Sequence, residues 1–288
     1  MKDAAKLFAY FFVVVIGAAL LAPPLFWWAQ QTSAFFAKFD FESFFHRALL
    51  ISVLVFLWPL LRSLRLCSFR DLQLERNAHA LRDVAAGLCL AALPLLCAAA
   101  VLIVSKIFVL KTAFPWTAIG LVVSAAIVVP FIEELFFRGL FLGILLRKLR
   151  PIVAVLITSA FFAIVHFLKA PSRLGEPVTW LSGFRSIANS FGQFADPMMV
   201  LAAFTTLFLI GWILGDARLR TRSLWLAIGL HCGWILVAGV IGKMTKRDTS
   251  ILPWLGHNLL VGLLPLALGL ITWALMIGWL RYANRSHA

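Results

Sequence analysis

Charged residues are scarce in this sequence. Only 13% of the 288 residues are Asp, Glu, Lys or Arg, whereas 62% are apolar, and the mean hydropathy is +0.98. So little charge cannot cover the surface of a soluble domain. The composition therefore excludes a water-soluble enzyme or binding module and indicates a protein that crosses the membrane several times.

Several motifs that would mark other classes of protein are also missing. The four cysteines form no CxxC pair and show no metal-ligand spacing, so we interpret them as small apolar side chains. The sequence contains no Gly-rich phosphate loop, no internal repeat and no low-complexity tail. The 26 Lys and Arg residues exceed the 12 Asp and Glu residues, but they are scattered between apolar runs. We therefore expect contact with the lipid bilayer and its anionic head groups, and no nucleic acid partner.

Long apolar runs recur along the whole chain. A helix needs roughly 20 apolar residues to cross the bilayer, and eight runs approach or exceed that length. The predicted spans are 7–28, 44–61, 84–105, 117–146, 151–168, 197–215, 223–242 and 259–280. With the N-terminus in the cytoplasm, the inner segments hold most of the Lys and Arg residues. We thus expect an integral protein of a bacterial cell membrane with both termini in the cytoplasm.

The fourth span contains charges where none is expected. Its stretch FIEELFFRGLF, residues 131–141, includes Glu133, Glu134 and Arg138, and each charge near a helix centre costs about 2.5–3.5 kcal/mol. Glu134 and Arg138 are four residues apart, in the orientation that favours an ion pair. Glu133 precedes Glu134 by one residue, so its side chain points about 100° away from that of Glu134 around the helix axis. It is the carboxylate left to take a proton from water, unless the cluster only locks helices together.

Two later spans each supply a histidine. His166, in AFFAIVHF, is at a depth close to that of Glu133, since each lies about 21 Å from the turn that joins their helices. His231, in IGLHCGWIL, has the small neighbours Gly229 and Gly233, which allow close helix packing. Each histidine alone is also compatible with a hydrogen-bonded core residue. Together with the carboxylates they predict one polar site, which either positions water or binds a divalent metal.

These stretches resemble motifs of the CPBP intramembrane proteases, the CAAX-processing and bacteriocin-processing or Abi group. EELFFR matches the motif EExxxR, FAIVH matches FxxxH, and HCGWI falls at the position of HxxxN. The similar region covers about 117–240. The resemblance implies that Glu133 and His166 activate the attacking water, that Glu134 and Arg138 support the site, and that His231 helps to stabilise the oxyanion.

The resemblance leaves the metal open. Family members have been described both as glutamate-type proteases and as metalloproteases. A divalent metal such as zinc would have Glu133, His166 and His231 as its ligands, but the sequence requires no cofactor.

One position departs from the family pattern. The asparagine of HxxxN is replaced by Ile235. Loss of one oxyanion donor typically slows a reaction about 100- to 1000-fold. Asn258 or a backbone amide is a candidate replacement.

The sequence thus predicts an all-α polytopic membrane protein of about eight transmembrane helices, with a polar site inside the bundle. We interpret 1–288 as a single membrane domain whose catalytic core is 117–240. The expected function is an intramembrane endopeptidase that hydrolyses a membrane-associated peptide or protein. A non-catalytic scaffold or immunity protein is the alternative. A transporter with a proton relay is less favoured, because no pair of spans shows a broken-helix repeat.

Overall fold

The computed structural model describes residues 2–32, 35–36, 39–66, 68, 70–75, 78–168, 177–246, 254–256, 259 and 261–285. Within these residues the fold is helical apart from one two-stranded ladder, so the all-α prediction is confirmed. The chain divides into two compact units. The first unit is Met1–Ser68 with Ile164–Pro197, and the second is Phe69–Ala163 with Met198–Ala288. The expectation of a single domain stays a prediction.

The regular elements follow one another in a simple order. They are α1 (Lys2–Thr32), α2 (Phe41–Ser63), α3 (Ala80–Val104), β1 (Val109–Leu110), α4 (Trp116–Glu134), a π-helix (Leu135–Phe141), α5 (Leu142–Leu145), α6 (Pro151–Val165), a 3₁₀ turn (His166–Leu168), α7 (Ser182–Ser190), a second 3₁₀ turn (Phe191–Ala195), α8 (Pro197–Thr221), α9 (Trp225–Met244), β2 (Thr245–Lys246) and α10 (Leu263–Arg285).

In the described part of the chain, eight helical segments are long and apolar enough to cross a membrane. They correspond one for one to the eight predicted spans. The largest difference is at α8, which was expected to end at residue 215 and continues to Thr221. The helix tolerates Asp216 because this carboxylate accepts hydrogen bonds from Arg220 Nε at 2.8 Å and from Trp273 Nε1 at 2.8 Å. The protein is a multi-pass integral membrane protein.

The first unit is built on close contact between α1 and α2. Small side chains make this contact possible, and with Phe45 they form a fully buried cluster of Ala18, Ala19, Ala22 and Ala48. The short helix α7 packs on α1 at Gly183, where any Cβ would collide with the backbone of Ala19. Residues with side chains would hold these backbones apart, so the unit depends on its small residues.

The second unit is arranged around α9. In α9, 61% of the most apolar window is buried, against 28–39% in the other seven spans. The helix packs closely on α3, because a Cβ at Gly229 would collide with the Val84 carbonyl and a Cβ at Gly233 would lie 2.6 Å from the Leu88 carbonyl oxygen. The predicted role of these two glycines in close packing is confirmed.

Both ends of α9 are joined to other segments by backbone hydrogen bonds. At its beginning, the Leu224 N–H donates to the Gln73 carbonyl over 3.1 Å. At its end, β2 pairs with β1 in an antiparallel ladder, and the Lys111 N–H next to this ladder donates to the Met244 carbonyl over 2.8 Å. The helix that carries His231 is therefore fixed at both ends.

Candidate active site

The span that carries the charged motif changes its helical form at the motif. After Glu134 the backbone widens into the π-helix Leu135–Phe141 and returns to α-helix at Leu142, whose N–H donates to the Phe137 carbonyl five residues earlier. Single π turns within α-helices occur frequently at functional sites. The sequence predicted one continuous apolar span and gave no sign of the wider turn.

The ion pair expected between Glu134 and Arg138 is present. Arg138 Nη1 donates to Glu134 Oε1 over 2.8 Å, and both side chains are completely buried. A buried charge without a partner costs several kcal/mol, so each of these two groups makes the other tolerable in the apolar interior. The pair also removes most of the charge that Glu134 would otherwise present to the site.

Arg138 has two further contacts that the sequence did not predict. Its Nη2 donates to the Gly211 carbonyl on α8 over 3.2 Å, and its guanidinium carbon lies 4.4 Å from the centre of the Phe162 ring. Gly211 needs to be a glycine here, because a Cβ would come within 2.9 Å of Ser159 Cα on α6. The stretch GWILG, which begins at Gly211, is a GxxxG pattern and was the signal that could have revealed this close packing.

His231 joins the two carboxylates. Its Nδ1 lies 2.8 Å from Glu134 Oε1, and its Nε2 lies 3.8 Å from Glu133 Oε2. The imidazole is 5% exposed, and the Phe162 ring packs edge-on against it with 6.0 Å between centroids. The polar site predicted inside the bundle is thus present, and α4 and α9 bring its carboxylates and His231 together.

Three further residues named in the sequence analysis are His166, Ile235 and Asn258. His166 begins the 3₁₀ turn at the end of α6, is half-buried and belongs to the first unit, so its role stays a prediction. Ile235 lies one helical turn after His231 and is half-buried. It offers no hydrogen-bond donor there. Asn258 lies outside the described residues.

The metal ligands expected from the resemblance were Glu133, His166 and His231. Among the described residues, no group of three His, Cys, Asp or Glu side chains is placed to hold a metal ion. Glu133 Oε2 lies 3.8 Å from His231 Nε2, and His166 belongs to the first unit. The metal stays a prediction, and the function proposed below uses a metal-free reaction.

The comparison with protein families agrees with this site. Residues 115–237 match the family described as type II CAAX prenyl endopeptidase Rce1-like. These residues form an Rce1-like domain. Comparisons with curated proteins and with solved structures each found no match.

The Rce1-like domain contains every stretch that carried the sequence resemblance. EELFFR, FAIVH and HCGWI all fall within 115–237, so the resemblance to the CPBP or Abi group is confirmed. The domain matches a family described as endopeptidases, and a cluster of two carboxylates and a histidine lies buried in it.

Proposed function

We propose that this protein is an intramembrane endopeptidase that hydrolyses a peptide bond in a membrane-associated protein or peptide. The observation that carries the proposal is the placement of His231 between the two carboxylates, at 2.8 Å from Glu134 and 3.8 Å from Glu133. The match to a protease family supports the same reaction class.

Glu133 is the base in this proposal. Arg138 pairs with Glu134, and the Glu133 side chain is 20% exposed. Glu133 takes a proton from water while the water oxygen attacks the peptide carbonyl, and it then returns the proton to the leaving amine as the C–N bond breaks. The products are a carboxylic acid, which keeps the second proton of the water, and an amine. His166 is assigned to this step because FAIVH matches the motif FxxxH. It is a second group that positions the water.

His231 stabilises the oxyanion. In this proposal the imidazole carries a proton on both nitrogens: its Nδ1–H donates to Glu134, which fixes the plane of the ring, and its Nε2–H donates to the oxygen that becomes negative during attack. The doubly protonated imidazole and the Arg138 guanidinium each carry one positive charge. Together they balance the two negative charges of Glu133 and Glu134. Glu134 and Arg138 act by positioning His231.

Cleavage of a membrane peptide by the purified full chain tests the proposal. The wild type is compared with Glu133→Gln and His166→Ala, and Glu75→Gln is the control, because Glu75 is an exposed carboxylate paired with Arg70. We expect loss of cleavage in the first two variants and full cleavage in the control. Cleavage that persists in both site variants would refute the assignment.

A chelator separates the metal-independent reaction from a metal-dependent one. We expect the wild type to retain full activity after chelation, with no bound metal detected by elemental analysis. Activity that is lost on chelation and returns with zinc would contradict the proposed use of Glu133 as a metal-free base.

Ile235 favours a second candidate, a non-catalytic scaffold or immunity protein that keeps the polar cluster for helix packing. At this position an amide donor to the oxyanion is missing. A cellular phenotype of the wild-type gene that survives Glu133→Gln would support this candidate, and a phenotype lost in that variant would support catalysis.

A further inference from the structure

Arg218 is a buried cation that the proposed reaction does not use. It lies in the last turn of α8 and is only 5% exposed. Its Nε has no hydrogen-bond partner among the described residues. The neighbouring acid, Asp216, bonds instead to Arg220 and Trp273. The carbonyl end of α8 offsets part of the charge of Arg218, but a guanidinium buried without an anionic partner among the described residues calls for an explanation.

The guanidinium of Arg218 lies beside α5, since a Cβ added to Gly143 would be 3.7 Å from Arg218 Nη2. Arg147 follows Gly143 by four residues, in the turn after the end of α5. Arg147, Lys148 and Arg150 are all exposed. Three exposed cations thus lie next to one buried cation.

An apolar surface begins directly after this basic turn. The residues of α6 that follow it include Ile152, which is 58% exposed, and Leu156, which is 41% exposed. Leu145 and Trp212 pack against the buried apolar cluster of Leu142, Ala154 and Val155. A cationic group at the end of membrane helices, followed by exposed apolar side chains, matches the order of phosphate and acyl chains in a phospholipid.

We propose that Arg218 and the turn 147–150 form a binding site for the phosphate group of an anionic phospholipid. The exposed Arg147 and Lys148 donate hydrogen bonds to the phosphate oxygens, and the positive charge of Arg218 stabilises the bound phosphate from within. The acyl chains lie along the exposed face of α6. Because this site consists of residues outside the Glu–His cluster, it does not depend on the proposed peptidase activity.

Native mass spectrometry of the purified, delipidated full chain tests the site. The probes are phosphatidylglycerol, phosphatidylcholine, diacylglycerol and inorganic phosphate. We expect retained phosphatidylglycerol, about tenfold weaker binding of phosphatidylcholine, and no retained diacylglycerol. Equal retention of the two phospholipids would overturn the proposal. Inorganic phosphate that binds alone and displaces phosphatidylglycerol would show a free-phosphate site and would also overturn it.

Variants of α8 identify which cation binds the phospholipid. Arg218→Gln is expected to weaken phosphatidylglycerol binding about tenfold, whereas Arg220→Gln, which removes the same charge from an exposed position, should leave it unchanged. If Arg218→Gln does not fold, Arg147→Gln, a change at an exposed position, tests the site instead. We expect it to weaken phosphatidylglycerol binding at least about threefold. Unchanged binding in Arg218→Gln, or in Arg147→Gln where that variant decides, would refute the site.

Discussion

Replacing Arg138 with methionine tests the energetics of the buried cluster most directly. The change keeps a long apolar stem and removes the guanidinium, which leaves the fully buried Glu134 with His231 as its remaining polar partner. Removal of one member of a buried ion pair typically costs about 3–5 kcal/mol. We therefore expect the free energy of unfolding of Arg138→Met to fall by about that amount.

The double variant Glu134→Gln/Arg138→Met separates the charge from the other contacts of Arg138. It removes both charges, so the cost of a lone buried carboxylate disappears. The Gly211 carbonyl still loses the additional hydrogen bond from Arg138, and a bond to a charged group typically contributes about 1.5–3 kcal/mol. The double variant should thus be more stable than Arg138→Met and less stable than the wild type.

Reversible unfolding in mixed micelles, followed by the fluorescence of the 11 tryptophans, measures these differences. Arg220→Met is the matched control, since its pair with Asp216 has the same four-residue spacing but is partly exposed. Such a pair contributes about 0.2–1 kcal/mol. If Arg138→Met loses no more stability than this control, or if the double variant is no better than the single one, the account of the cluster as a mutually dependent ion pair is wrong.

Three further predictions concern neighbouring positions. Gly229→Ala should cost about 1–3 kcal/mol in the same unfolding assay, because its Cβ would collide with the backbone of α3. Gly242→Ala on the same helix, with nothing within 4 Å of the new Cβ, should be neutral or stabilising, and equal losses would contradict the close packing. Phe162→Ala should cost about 3–5 kcal/mol, and a loss below about 1 kcal/mol would contradict its place beside the buried guanidinium. Ile235→Asn should raise the rate of peptide cleavage by up to about 100-fold, whereas an unchanged rate would show that this position does not face the oxyanion.

Much of the fold could be predicted because hydropathy alone decides which segments enter the bilayer. All eight spans were found in this way. The difference at α8 has a physical cause. The predicted span ends just before Asp216, but Asp216 and Arg220 are one turn apart and pair with each other, so the helix continues to Thr221.

The site was predictable only where it depends on spacing between side chains. The pair Glu134–Arg138 follows from helix geometry, since residues four apart share a face. The Gly211 carbonyl that accepts from Arg138 could not be found, because every residue has a backbone carbonyl and no residue type marks the one that is used. The π-helix was equally hidden, since no residue in its sequence requires the wider turn.

The attachment of α9 at both ends limits how this protein can open. A slide of one residue along the helix axis is a movement of about 1.5 Å and would break the bond to Gln73 at one end or the ladder of β1 and β2 at the other. These hydrogen bonds oppose a piston-like movement of α9 along its axis. We therefore expect His231 to stay at one level while a ligand enters, and the displacement that admits the ligand to come from helices without such bonds at both ends.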